Sequence, residues 1–454
     1  MAMLSINPAT GETINSFDTW DELHLSRVLA ASSDARADWA ARPIAERCDS
    51  LRTVANVIRG RRDQLAEIMT LEMGKLIGEA RAEIDKCALV CDYYADQAPA
   101  FLADELIESD AGRSLVCYQP LGVVLAVMPW NFPFWQVFRF AAPGLIAGNV
   151  GILKHASNVP QCALAIEDIF KEAGLPDNVF RTLMIPASMV ASVIENKRVH
   201  AVTLTGSEIA GKAVAATAGN SIKKSVLELG GSDAFIVLGD ADLDLAVQQA
   251  MISRFLNAGQ SCIAAKRFIV VPEIADEFVA RFKDAVAELI PGNPLDENTR
   301  FAPMARHDLR DELHQQVLDT IEAGATAVIG CIPEDNPGAY YEASILDHVK
   351  PGMRAYEEEF FGPVAIVIRA EDEADAIRIA NDSRFGLGGS VWTQDSEKGE
   401  SVARQLECGC AFVNGMVKSD PRLPFGGIKD SGFGRELSQH GIREFVNAKT
   451  IWIR

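Results

Sequence analysis

The chain opens on a helical rhythm. Across residues 36–51, 58–71 and 77–106, apolar side chains recur at three- and four-residue spacing among charged ones, which predicts helices that bury one face. At Leu121 the pattern changes. Residues 121–127 are an unbroken apolar run, and short apolar segments then alternate with helical ones. A strand at 150–154 precedes a helix near 163–173; a strand ending at Gly206 precedes a helix over 209–218; a strand at 225–229 follows. This alternation predicts parallel strands joined by right-handed helical crossovers, an α/β fold. A second alternating region begins at 234–238 and contains strands at 267–271 and 363–369, with no internal repeat and no low-complexity linker.

With 454 residues the chain is long enough for two or three domains. Its formal net charge of −20 repels phosphate polyanions and anionic membranes, so neither a nucleic acid nor a membrane is expected as a partner. No apolar stretch reaches the roughly 18 residues that span a bilayer and no secretory leader opens the chain, which predicts a cytoplasmic protein. Nine cysteines, an odd number without framework spacing, are expected to be reduced. Cys87 and Cys91 share a helix face and Cys408 and Cys410 form a close pair; both are read as packing, and no metal centre is expected.

Two residues supply the candidate chemistry. Cys262 follows a small polar loop, 257–261, and is a nucleophile once it loses its proton, while Glu228 in an apolar strand is a carboxylate whose proton affinity burial raises towards neutrality. Asn131 lies in the Met128-Pro129-Trp130-Asn131-Phe132-Pro133 turn after the first buried strand, where α/β sheets place ligands. Residues 199–211 run from a strand into a helix through Gly206 and Ser207, with Gly211 a turn later. That spacing suits a phosphate-binding turn but differs from the G-x-G-x-x-G of ordinary dinucleotide folds. Arg139, among four phenylalanines and a tryptophan, must find an anion or reach water.

Taken with residues 357–364 and the glycine-rich 424–436 segment, these motifs resemble the aldehyde dehydrogenase superfamily. Within it the chain looks closest to the short bacterial NAD(P)-dependent succinate-semialdehyde dehydrogenases. The resemblance implies an aldehyde dehydrogenase-like α/β fold, with a Rossmann-type cofactor domain (1–113 and 121–229) and an α/β catalytic domain carrying the thiol (230–413). It also implies an active-site loop returning to the cofactor domain (414–439) and a β-arm for oligomerisation (114–120 and 440–454). The arm should pair a hairpin around 114–119 with a strand at 449–453, giving a homodimer or homotetramer.

In this likeness Cys262 is the nucleophile, Glu228 activates water, and the Asn131 amide with the Cys262 N–H holds the oxyanion. Trp130, Lys154, Ser157, Gly206, Ser207, Gly211, Leu229, Glu359 and Phe361 face the cofactor, with Glu359 on the nicotinamide ribose and Phe361 near the nicotinamide. Ser157 stands where NAD-preferring members carry a glutamate, so NADP should be tolerated alongside NAD. Arg139 and Ser419 correspond to residues that bind a substrate carboxylate. A second arginine found six residues before the thiol in some relatives is Leu256 here, an incomplete match, although Arg254 is nearby and could substitute. The reaction implied is oxidation of an aldehyde to a carboxylate, most specifically succinate semialdehyde to succinate. A small neutral or aromatic aldehyde, or a non-enzymatic protein on the same fold, are the alternatives.

Overall fold

The computed structural model describes residues 2–454. An N-terminal hairpin, Ala2–Ile6 with Thr13–Asp18, precedes four helices: Glu22–Ala41, Ile44–Gly60, Arg62–Met73 and Ile77–Phe101. The pattern predicts this helical region but not all its boundaries. The span 36–51 is broken because Pro43 forces Arg42 into extended backbone (φ −62°, ψ 140°). The span 77–106 ends at Phe101, and Glu105–Leu106 instead joins a sheet.

The first α/β unit is a six-stranded sheet. Its order is Phe180–Thr182, Val150–His155, Val123–Met128, Ala201–Thr205, Lys224–Glu228 and Gly432–Phe433, parallel except for the last pair. The strands at 150–155 and 201–205 are buried along their whole length, which is why they read as largely apolar segments without a polar face. From Val123–Met128 the chain builds outwards to one side, then returns to place Ala201–Thr205 on the other. That reversal opens a crevice at the carboxyl ends of these two strands, the place where doubly wound sheets bind ligands.

The second unit is a seven-stranded sheet of order Thr326–Ile329, Ser344–Asp347, Val364–Arg369, Ala265–Val270, Asp233–Val237, Gly388–Trp392 and Cys410–Val413, antiparallel only at Thr326–Ile329. Successive residues of Asp233–Val237 serve opposite faces: Ala234 and Ile236 enter one apolar core, Phe235 and Val237 another. A third, antiparallel sheet pairs Arg113–Pro120 with Val446–Ile453 on one side and Glu105–Leu106 on the other. The terminal strand is longer than the sequence suggests, and residues up to Glu444 form the helix Ser438–Glu444. Gly432–Phe433, from the long C-terminal loop, pairs with Leu227 and Glu228 and so closes one edge of the first sheet.

Candidate active site

The thiol is delivered by an unusual turn. After the helix Leu243–Phe255, residues Asn257 (φ 55°), Ala258 (φ 51°) and Gly259 (φ 73°) are all left-handed, and the chain then enters Ala265–Val270. Left-handed backbone costs non-glycine residues about 1–2 kcal/mol each, so the surroundings must hold the turn. Arg254 does much of this. Its guanidinium is wholly buried and donates to the carbonyls of Gly259 (2.5 Å), Gly362 (2.7 Å) and Ala265 (3.1 Å). It is therefore a brace of the loop and does not substitute for the second substrate arginine of some relatives, since all its contacts point into the fold and Leu256 takes the place on the cavity wall.

Asn131 is tied to this turn. Its backbone carbonyl accepts from Lys75 Nζ (3.0 Å) and Asn257 Nδ2 (2.9 Å), and its own Nδ2 donates to the Gln260 carbonyl (3.1 Å). Lys75 also pairs with buried Glu83, whose carboxylate accepts from the N–H groups of Phe134 and Trp135 at 2.9 Å each. Glu83 thus caps the helix Trp135–Ile146, in whose second turn Arg139 lies. The Cys262 N–H has no acceptor among the described residues. It and the second hydrogen of the Asn131 amide are donors available to an oxygen developing negative charge.

Cys262 lines a cavity of ≈ 410 Å³ with Trp135, Arg139, Ser419, Phe425 and Lys86 among the other walls. Burial pushes its thiol up to about 12, opposed by the positive charges of Arg139 and Lys266. Lys266 is fully buried, donates to the carbonyls of Ser261 and Cys262 at 2.8 Å and lies 3.0 Å from Glu359 Oε1. Sequence reading missed it, because a lysine in the strand Ala265–Val270 carries no mark distinguishing it from a solvent-facing one. Lys86 was missed likewise; its signal is the i, i+4, i+7 spacing of Glu79, Glu83 and Lys86, which places three charges on one helix face.

Glu228 ends the strand Lys224–Glu228, behind Phe425 and Gly426 and off the cavity wall; a Cβ on Gly426 would lie 2.6 Å from Glu228 Oε1. Neither of its carboxylate oxygens has a hydrogen-bond partner among the described residues. Burial, then the neighbouring Glu436, holds its pKa well above the ordinary carboxylate range, against the pull of Arg139. Arg139 itself is buried, ion-paired with Glu436, hydrogen-bonded from Nη2 to Thr205 (3.3 Å) and stacked 4.8 Å from the Phe425 ring. The anion that its apolar setting demands is therefore supplied by the chain. Ser419 is buried and accepts from Lys86 Nζ (2.8 Å).

The predicted cofactor residues gather at the crevice. Trp130 follows Val123–Met128, Lys154 lies near the end of Val150–His155, Gly206 and Ser207 follow Ala201–Thr205, and Leu229 follows Lys224–Glu228, so adjacent strand ends present them. Ser207 caps the helix Glu208–Asn220, accepting from the Ala210 N–H. Gly211 meets Leu229: a Cβ there would lie 2.5 Å from its side chain. Lys154 is buried without a partner among the described residues, and burial lowers its pKa; Ser157, just beyond, is exposed and neutral. Glu359 accepts from the Gly231 N–H (3.1 Å), and its carboxylate lies against Gly230, where a Cβ would displace it. Phe361 packs edge-on to Trp130, centroids 5.8 Å apart. A helix N-terminus, an unpartnered cation, a placed carboxylate and two aromatic rings at one crevice fit a nicotinamide dinucleotide.

The sequence profile of the aldehyde dehydrogenase family matches residues 2–451, and the chain belongs to that family. It is 52% identical over 453 residues to a probable succinate-semialdehyde dehydrogenase [NADP(+)] of Synechocystis sp., with 100% of each chain covered. It is 50% identical over 462 residues to succinate-semialdehyde dehydrogenase [NADP(+)] 1 of Mycobacterium ulcerans, again covering both chains fully. Among solved structures, succinic semialdehyde dehydrogenase from Streptococcus pyogenes in complex with NADP+ superposes with a TM-score of 0.98 at 41% identity over 100% of both chains.

Proposed function

We propose that this enzyme oxidises succinate semialdehyde to succinate with NADP, and with NAD less well. The observation carrying this reading is a cavity that joins the Cys262 thiol to walls on which four cations, Lys75, Lys86, Arg139 and Lys418, outnumber two carboxylates, Glu79 and Glu83, beside a crevice whose residues fit a dinucleotide. Cys262, once its thiol proton has passed to solvent water in the cavity, attacks the aldehyde carbon as a thiolate, and the alkoxide so formed takes hydrogen bonds from the Cys262 N–H and Asn131 Nδ2. An oxidised nicotinamide dinucleotide held at the crevice by Trp130, Glu359 and Phe361 would supply the hydride acceptor. Loss of hydride leaves a thioester on Cys262. Glu228, whose proton affinity burial has raised, takes a proton from the water that hydrolyses it.

Trp130, Gly206, Ser207, Gly211, Leu229 and Phe361 form the cofactor's walls, Lys154 and Glu359 contact its two riboses, and neutral Ser157 leaves a 2′-phosphate unopposed. Arg139, its charge shared with Glu436, and Ser419 line the end of the cavity that takes the substrate's far carboxylate. The first α/β unit is the cofactor domain, the second the catalytic domain, and the three-stranded sheet an oligomerisation arm of a cytoplasmic homo-oligomer. Among the described residues no helix is long and apolar enough to cross a membrane.

Absorbance of reduced cofactor, followed with succinate semialdehyde, glutarate semialdehyde, butanal and benzaldehyde and with either cofactor, tests the reading. Succinate semialdehyde with NADP should give the highest kcat/KM and need no coenzyme A. Turnover of butanal or benzaldehyde above that of both acids would replace the substrate assignment, and dependence on coenzyme A would replace hydrolysis.

A further inference from the structure

Glu79, a carboxylate on the cavity wall whose pKa burial pushes up to about 7, accepts from the Asn257 N–H (3.0 Å), and most of the cations on the wall are matched within the protein or by solvent. Lys75 is paired with Glu83, and Arg139 with Glu436 behind the wall. Lys418, also on the wall, is exposed to solvent. Lys86 differs from all three. It projects from the helix Ile77–Phe101, lines the cavity, and has no carboxylate partner among the described residues.

Its surroundings are poor for a cation. Nζ donates one hydrogen bond, to Ser419 Oγ (2.8 Å), and sits 4.0 Å from the Trp135 ring centroid. An ammonium has three donors, so two remain to be satisfied. Burial, followed by the charge of Arg139, lowers its pKa to about 8, while Glu83 and Asp420 act the other way. The ammonium form, still predominant at pH 7, is thus under-solvated and would gain most from an anion entering the cavity. Ser419 completes the arrangement: because its oxygen accepts from Lys86, its own hydrogen is free to donate outward.

We propose that Lys86 and Ser419 together form the subsite for the substrate's terminal carboxylate, with Lys86 the residue that selects acidic over neutral aldehydes. This inference rests on the reading of the substrate as an acidic aldehyde. Arg139, already matched by Glu436, then contributes field and shape, and Lys86 contributes the unmatched charge. The substrate's aldehyde end lies towards Cys262 and its carboxylate towards the Ile77–Phe101 helix.

The test compares wild type with Lys86→Met and Lys86→Arg in steady-state kinetics with succinate semialdehyde and butanal, and in competition by succinate. Lys86→Met should raise the KM for succinate semialdehyde at least tenfold and weaken succinate inhibition similarly, while butanal changes far less. Lys86→Arg should recover most of the discrimination, which a packing defect would not. If wild type favours succinate semialdehyde and Lys86→Met keeps that preference, or if both substrates lose equally, Lys86 is not the selector and the acidic-aldehyde reading stands. If wild type itself shows no preference for the acid, the substrate reading fails and this inference with it.

Discussion

Burial acts on Cys262 and Glu228 in the same direction, since both lose stabilisation of their charged forms, yet the consequences for catalysis differ. A thiol near 12 waits for a proton acceptor and an added positive charge before it attacks. A carboxyl group held above its ordinary range is protonated at low pH and becomes a base as pH rises. The sign follows: hydrolysis of the thioester needs the ionised form, so its rate should climb with pH through a window above the normal carboxylate range. Glu228→Gln should therefore show a burst of reduced cofactor, then a slow steady rate without that climb; loss of the burst as well would place Glu228 before hydride transfer. Arg139 invites a different expectation from the one its sequence context suggests. Its partner is Glu436, distant in sequence, so no local pattern announces the pair. Arg139→Leu leaves Glu436 buried and unmatched, which should cost about 3–5 kcal/mol of stability. Adding Glu436→Gln should restore much of the loss in denaturant unfolding. Unchanged stability in the single variant would mean that Glu436 is neutral in the native protein.

The elements were legible wherever burial on both faces imposed an unbroken apolar run. The strands ending at Met128, His155 and Thr205 are legible that way as largely apolar segments, while Lys224–Glu228, exposed at its start, is legible from its place in the alternation; with them comes most of the proposed site, because strand ends are where the fold displays it. The hairpin Ala2–Ile6 with Thr13–Asp18 was not found. Its second strand is almost wholly exposed, so no buried face imposes a pattern. The bracing roles of Arg254 and Lys266 were equally invisible, since both are decided by carbonyls that only the folded backbone brings together. The turn at 257–259 shows what such bracing supports. Gly259→Ala would drive a Cβ into the Gly362 carbonyl at a positive φ, and should destabilise the protein by at least about 2 kcal/mol. Because Cys262 lies three residues on, kcat should fall more than cofactor affinity does. A variant as stable and active as wild type would show that the loop relaxes freely.

At the scale of the whole molecule, the three-stranded sheet is the part that a single chain leaves unfinished. Val446–Ile453 is an eight-residue strand paired on one side only, and its outer edge carries no strand among the described residues. Apolar side chains stay exposed on this sheet: Trp452 at 52% and Ile453 at 48% on the open strand, and Leu106 at 70% on the opposite edge. An open edge of this length next to exposed aliphatic and aromatic surface favours pairing with another chain, and a second copy of the same arm is the partner always present at matching concentration. The net charge of −20 makes promiscuous association unfavourable, so the pairing should be confined to this surface. Wild type is accordingly expected to sediment as a dimer or larger at micromolar concentration. A variant carrying Leu106→Glu and Trp452→Glu should shift to monomer, with a lower unfolding temperature that depends on protein concentration in wild type but not in the variant. The arm lies apart from Cys262 in the fold, so a folded monomer that still binds NADP would identify it as an assembly element. A monomeric wild type, or a variant that assembles undisturbed, would remove the arm from that role.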